Sequence, residues 1–138
     1  MVTRQPHEDL SAWQKAMELV IQVYDVAKQF PAEERFALVD QLRRAAISIP
    51  SNIAEGHGRE SERSYLQFCL IAHGSLREVE TQLEIARRLG YIDESRAADL
   101  LRGCDDVGRP LRGLIAYLRK RAETKSVRED DSPYDVDD

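Results

Sequence analysis

The chain has 138 residues, enough for one domain whose core needs neither a disulfide nor a metal to hold it. Its net charge of −5 resides at the end: residues 122–138 carry seven acids against Lys125 and Arg128, leaving residues 1–121 neutral with 18 acids and 18 bases. That balance argues against a uniformly basic nucleic-acid binder, and two cysteines, Cys69 and Cys104, make no secreted-type disulfide framework.

The opening residues, Met-Val-Thr-Arg-Gln-Pro-His-Glu-Asp, lack the apolar stretch of a signal peptide. No apolar run approaches the roughly 20 residues that span a bilayer. The sequence therefore predicts a soluble, cytoplasmic protein with no membrane partner. Residues 1–9 read as an N-terminal extension, 10–121 as the folded unit and 122–138 as a disordered acidic tail, since periodicity stops after Arg121 and few apolar residues follow.

Within the folded unit, the first helix is expected over residues 10–30, with Leu10, Trp13, Ala16/Met17, Val20, Val23, Ala27 and Phe30 stepping by threes and fours. Pro31 ends it and suits the first position of the next helix. That second helix carries Phe36, Val39, Leu42, Ala46, Ile49, Ile53 and Gly56, and the phase survives Pro50. A kinked continuous helix is therefore expected, although proline removes one backbone donor. Gly56 and Gly58 then supply a stop.

Ser61 is the expected N-cap of a third helix running through Tyr65, Phe68, Ala72, Ser75/Leu76, Val79, Leu83, Ala86 and Leu89 to Gly90. Its first half is apolar around most of its circumference. Leu66, Cys69 and Leu70 are accordingly the candidate oligomer interface, one face serving the protomer and another a neighbouring subunit. Asp93 caps a fourth helix with Ala97, Leu100, Cys104, Val107, Leu111, Leu114 and Leu118, whose phase holds across Gly103, Gly108, Pro110 and Gly113. Four helices with short links predict an all-α, antiparallel up-down-up-down four-helix bundle.

Catalytic patterns are missing from the sequence. A di-iron bundle needs Glu-x-x-His, yet the residues three before His7, His57 and His73 are Arg4, Ala54 and Leu70. Cys69 and His73 lie one turn apart without a second pair to complete a zinc site. No phosphate loop, Gly-x-Ser-x-Gly or His-Glu-x-x-His motif occurs. The reading is a non-enzyme with no catalytic residue, cofactor or metal.

Small residues in 41–59 and at Ala72, Gly74 and Ser75 suit close helix packing. Pro50 and Asn52 are structural in this reading, Asn52, Ser48 and Ser51 need internal partners, and Glu55 can pair with Arg59 one turn on. Arg43 and Arg44 are expected to meet Glu78 and Glu80 on the third helix. The remaining bases, Arg87, Arg88, Arg109, Arg112, Arg119, Lys120 and Arg121, are the candidate contacts to RNA or DNA. The alternative for the last three is a solvated helix end, where cations offset the dipole.

Trp13-x-x-Ala16, Phe30-Pro31, residues 41–46 (Gln-Leu-Arg-Arg-Ala-Ala), residues 48–56 (Ser-Ile-Pro-Ser-Asn-Ile-Ala-Glu-Gly), Gly74-Ser75-Leu76-x-Glu78-x-Glu80-Thr81 and Leu89-Gly90-Tyr91-Ile92 together carry a resemblance. Over residues 10–120 the chain resembles the bacterial four-helix-bundle family, also called 23S rRNA intervening-sequence or S23 proteins. The resemblance implies a homopentameric barrel and extends to a related accessory protein of diversity-generating retroelements, which binds nucleic acid and a reverse transcriptase. The expected function is an oligomeric binding or adaptor module for a ribonucleoprotein or nucleic-acid-associated protein, the alternative being a direct RNA or DNA binder.

Overall fold

The computed structural model describes residues 6–130. Four α-helices make up most of them: α1 Ser11–Ala27, α2 Leu38–His57, α3 Glu62–Arg88 and α4 Glu94–Asp130, with short 3-10 turns at Pro6–Asp9 and Ala32–Glu34. Among the described residues there is no strand. Helix α1 packs on α2 and α4, and α3 also packs on α2 and α4, while the α1 and α3 backbones stay apart across the core. The four helices thus form a bundle with α1 and α3 at opposite corners.

Local sequence explains the helix ends. The Ser61 hydroxyl accepts the Ser64 N–H at 3.0 Å, and the Asp93 carboxylate accepts the Arg96 N–H at 2.7 Å, so both expected N-caps are present. At the end of α3, Gly90 adopts φ +79°. This lets the Gly90 N–H reach the Arg87 carbonyl and the Tyr91 N–H reach that of Ala86, which satisfies two terminal carbonyls. Tyr91 then tilts against Phe30 and donates its hydroxyl proton to Glu34 at 3.0 Å, joining two interhelix links at one end of the bundle.

The core is one cluster fed by all four helices. Leu19 and Val23 of α1, Leu42, Ile49 and Ile53 of α2, Leu76 and Leu83 of α3, and Leu100, Leu111 and Leu118 of α4 have essentially no exposure. Each such side chain contributes about 1.5–3 kcal/mol by leaving water. Helix α2 runs uninterrupted through the buried Pro50, as the unbroken phase predicts.

Four expectations need correction. The α1 seam is turned by one position, so Leu19 and Val26 are buried, Val20 is half-buried and Met17 is exposed. The apolar arc of this helix is wider than the core can cover, and packing selects its middle. Helix α2 begins at Leu38 instead of beside Pro31, because Ala32–Glu34 closes a 3-10 turn first. Phe36 falls in that connection and stands 86% exposed instead of joining the core. Within the fourth helix Ile115 is buried where Leu114 was expected, Leu114 being half-buried.

Past Arg121, α4 continues to Asp130, whereas the sequence predicts disorder from residue 122. Residues 119–130 contain neither proline nor glycine and are rich in Arg, Lys, Glu and Ala, which hold a helix by propensity without an apolar face. Residues 131–138 of the expected tail, and residues 1–5 of the expected extension, lie outside the described residues.

Candidate interaction surfaces

Helices α2 and α3 meet in a close seam at Gly56. A Cβ on Gly56 would come within 2.7 Å of the Phe68 Cβ and 3.0 Å of the Tyr65 ring, so only glycine fits. About two turns earlier the Ser48 and Ser75 hydroxyls share a hydrogen bond of 2.8 Å. The Asn52 amide donates to the Ser48 carbonyl at 2.8 Å and to its hydroxyl at 2.9 Å. Asn52 and Ser48 thus have the internal partners expected of them, whereas Ser51 is exposed. Glu55 pairs with Arg59 at 2.8 Å, as the spacing predicts.

Above this polar lock the seam opens into a groove of about 350 Å³, lined by Gln41, Arg44 and Ser48 on one side and Ser75, Glu78 and Gln82 on the other. Ser48 and Ser75 hydrogen-bond each other and no histidine lines the groove, so it holds no activated nucleophile. Among the described residues no group of three metal-ligating side chains converges. Cys69 and Cys104 are buried free thiols, and burial pushes them up to about 11 and about 12, with Glu80 adding to the rise at Cys104. Neither is poised as a thiolate.

Placement of the two arginines corrects the expected α2–α3 ion pairs. Arg44 binds Asp40 on its own helix at 2.9 Å, and Glu80 binds Arg77 at 3.1 Å. Arg43 turns the other way and stacks over the Tyr24 ring of α1 at 4.7 Å. Its Nε is buried and lacks a hydrogen-bond partner among the described residues. The pattern Arg-Arg opposite Glu-x-Glu could not reveal this, because consecutive residues on a helix point about 100° apart and only one of the two can face α3.

The bases expected to contact nucleic acid are scattered and mostly engaged. Arg87 binds Glu84 at 2.7 Å and Glu94 at 2.6 Å, and Arg88 also binds Glu84, at 3.0 Å. These two hydrogen-bonding arginines hold the Glu84 carboxyl down at about 2. Arg109 lies 3.0 Å from Asp105 and 3.2 Å from Asp106, Arg112 lies 3.8 Å from Asp105, and Arg121 binds Glu62 at 2.8 Å. Arg119 and Lys120 are exposed and make no ion pair among the described residues. Near them, His73 is held below its ordinary value by burial first, then by Arg77, Arg112 and Arg119, with Glu80 opposing.

Apolar surface is arranged differently from the expected interface. Cys69 is fully buried inside the protomer, because its position turns toward the core, and Leu66 and Leu70 are half-buried against that core. Of the exposed large apolar residues, Phe36, Leu89, Leu101 and Tyr117 stand apart, and six others form two stripes. On α1 and the adjoining edge of α2 stand Met17, Ile21, Tyr24 and Ile47, with Ile21 67% exposed. On α3 stand Ile71, 51% exposed, and Ile85, with the open-faced Gly74 between them. These residues share the apolar character of core positions, and composition alone does not tell which sector of an over-wide apolar arc faces out.

This four-helix arrangement, with its close α2–α3 seam at residues 48–56, coincides with a recognised sequence profile, that of the 23S rRNA-intervening sequence proteins, which matches residues 8–113. The chain belongs to the 23S rRNA-intervening sequence protein family. The match ends before Arg119, Lys120 and Arg121. Among solved structures, the fold is similar to that of a protein of unknown function from the S23 ribosomal protein family of Bacteroides thetaiotaomicron VPI-5482. The two share 23% identity and a TM-score of 0.70, over 75% of this chain and 97% of that one. No curated protein matches. No described helix is long and apolar enough to cross a membrane.

Proposed function

We propose that this chain is a non-enzymatic adaptor that assembles into a homo-oligomeric ring, preferably a pentamer, and presents helical surfaces to a ribonucleoprotein partner in the cytoplasm. The observation carrying this reading is the contrast between its charged and apolar surfaces. Five of the seven candidate nucleic-acid bases have a carboxylate within 4 Å, while large apolar side chains stand exposed in stripes. Surfaces of this kind favour protein partners over a phosphate backbone.

The bundle is antiparallel in this reading, which the ion pairs between helix ends support. Asp25 near the end of α1 binds Arg96 near the start of α4 at 2.9 Å, and Glu62 at the start of α3 binds Arg121 far along α4. Placement of the apolar stripes on α1 and α3, at opposite corners, favours head-to-tail contact. Such an interface uses two different faces of each copy, and it closes into a ring when the rotation permits. The family description, which names a 23S rRNA-intervening sequence, supports a ribonucleoprotein setting.

Direct RNA or DNA binding through Arg119, Lys120 and the neighbouring bases is the second reading, favoured by the two cations that have no carboxylate partner among the described residues. Anisotropy titration of a labelled structured RNA with the full chain, in a salt series from 50 to 200 mM, separates the two. The adaptor reading predicts no saturable binding at micromolar protein. A dissociation constant below about 1 μM that weakens steeply with salt, as counterion release requires, would establish the second reading instead.

A further inference from the structure

Helices α3 and α4 gather three arginines and a histidine along one seam. Glu62 of α3 meets Arg121 of α4, and the Leu76 side chain of α3 lies 3.4 Å from where a Cβ on Gly108 would stand. His73, three residues before Leu76, is therefore close to the level of Leu111 on α4. Gly108 has no side chain, and the Arg112 guanidinium folds back over it, its Nη1 lying 2.6 Å from the place a Cβ would take. That bend carries the charge of Arg112 toward α3. Arg77, Arg112 and Arg119 all act on His73, adding to the burial that holds it below its ordinary value.

These guanidiniums keep solvent-facing donors. Arg77 donates to Glu80 at 3.1 Å, and its side chain stays 63% exposed. Arg112 is 3.8 Å from Asp105, a separation at which no hydrogen bond forms, and its side chain is 48% exposed. Arg119 is exposed without an ion pair among the described residues, and it follows Arg112 by two turns, about 10.5 Å, on the same flank of α4. Carboxylates bound the seam, Glu80 and Asp105 toward one end and Glu62 at the other. A long anionic strand laid along it meets acids at both ends, whereas a compact anion fits between them.

We infer that the α3–α4 seam binds a compact phosphate dianion, free or as the monoester of a small molecule, through Arg77, Arg112 and Arg119, with His73 as a proton-linked neighbour. This site is independent of the oligomeric reading above. The planar guanidinium forks give phosphate oxygens charge-assisted hydrogen bonds. His73 acts through its charge and not as a ligand, since its Nε2 is buried. The charged groups facing it are Arg77 and Glu80 from α3, and Arg112 and Arg119 from α4. In the free site the three cations oppose its protonation, and a bound dianion offsets them. Anion binding and protonation of His73 therefore favour each other. Affinity grows as pH falls through the midpoint of His73 in the bound state, and it levels off below the midpoint in the free state.

The test follows the imidazole signals of the full chain by NMR while sodium sulfate is added at constant ionic strength. Sulfate mimics phosphate but keeps both charges across the pH range, so any pH dependence belongs to the protein. The expected result is a saturable displacement of the His73 signal with a dissociation constant below about 1 mM. Its midpoint should move upward, binding should be tighter at about pH 6 than at about pH 8, and the His7 and His57 signals should stay in place. Inorganic phosphate at the higher pH is expected to act in the same way. By calorimetry, Arg112→Gln is expected to weaken binding roughly tenfold or more. Gly108→Ala changes no charge but displaces the Arg112 guanidinium, the flexible end of a side chain, so it should fold and still bind more weakly. His73→Gln should bind as wild type does at the higher pH and lose the tightening at the lower one. A displacement that does not saturate with either anion would overturn the site, as would wild-type binding by both Arg112→Gln and Gly108→Ala. A short single-stranded RNA that moves the His73 signal where sulfate and phosphate do not would overturn the compact anion in favour of a polynucleotide.

Discussion

At Gly56 helices α2 and α3 pack tightly, and its missing side chain is what permits the contact. An added methyl would press on the Phe68 Cβ, which sits on its own helix backbone and cannot swing away. Gly56→Ala is therefore predicted to destabilise the protein by about 1–3 kcal/mol despite the better helix propensity of alanine. Urea unfolding would show it as a lower midpoint with an unchanged slope. Gly103 offers the contrast, since there the intruding atom is the flexible end of Gln22, which can move, and Ala at this position is predicted to cost little. At this scale the sequence is legible where chemistry is local. Ser61 and Asp93 announce their caps, and Glu55 with Arg59 announces a pair one turn apart. Arg43 and Arg44 are not legible in this way, because their partners are fixed by rotation of the helix and not by spacing.

Helix ends are joined by charge. Glu84 gathers Arg87 and Arg88, and Arg87 reaches on to Glu94 in the first turn of α4, so the α3–α4 link is held by one acid–base cluster. The folded-state carboxyl of Glu84 lies near 2, below its ordinary 4.5. A depressed carboxyl contributes stability above the unfolded value and loses it as pH falls through the folded one. Glu84→Gln is accordingly predicted to be less stable than wild type at pH 7, with the difference shrinking between pH 4.5 and 2. Urea midpoints of both proteins across that range would check it, and a constant difference would contradict the assignment. Elements themselves read well from periodicity, including the passage of α2 through Pro50. The extension of α4 to Asp130 was illegible because apolar periodicity measures burial, and a solvated helix has none.

At the scale of the whole molecule, the sequence shows four amphipathic helices but leaves open which part of each apolar arc faces out. The α1 arc holds Leu19, Val20 and Ile21 in succession, and the core takes Leu19 while leaving Ile21 exposed. The same limit turned Cys69 into a supposed surface residue. A protomer with stripes on two opposite helices is read here as incomplete alone, its exposed isoleucines awaiting the next copy. Light scattering on the full chain at micromolar concentration, in both 0.15 and 1 M salt, tests this most directly. The account predicts one species of about 79 kDa, five protomers of 15.8 kDa, that survives high salt because apolar burial carries the contact. A mass of 15.8 kDa under both conditions would contradict it.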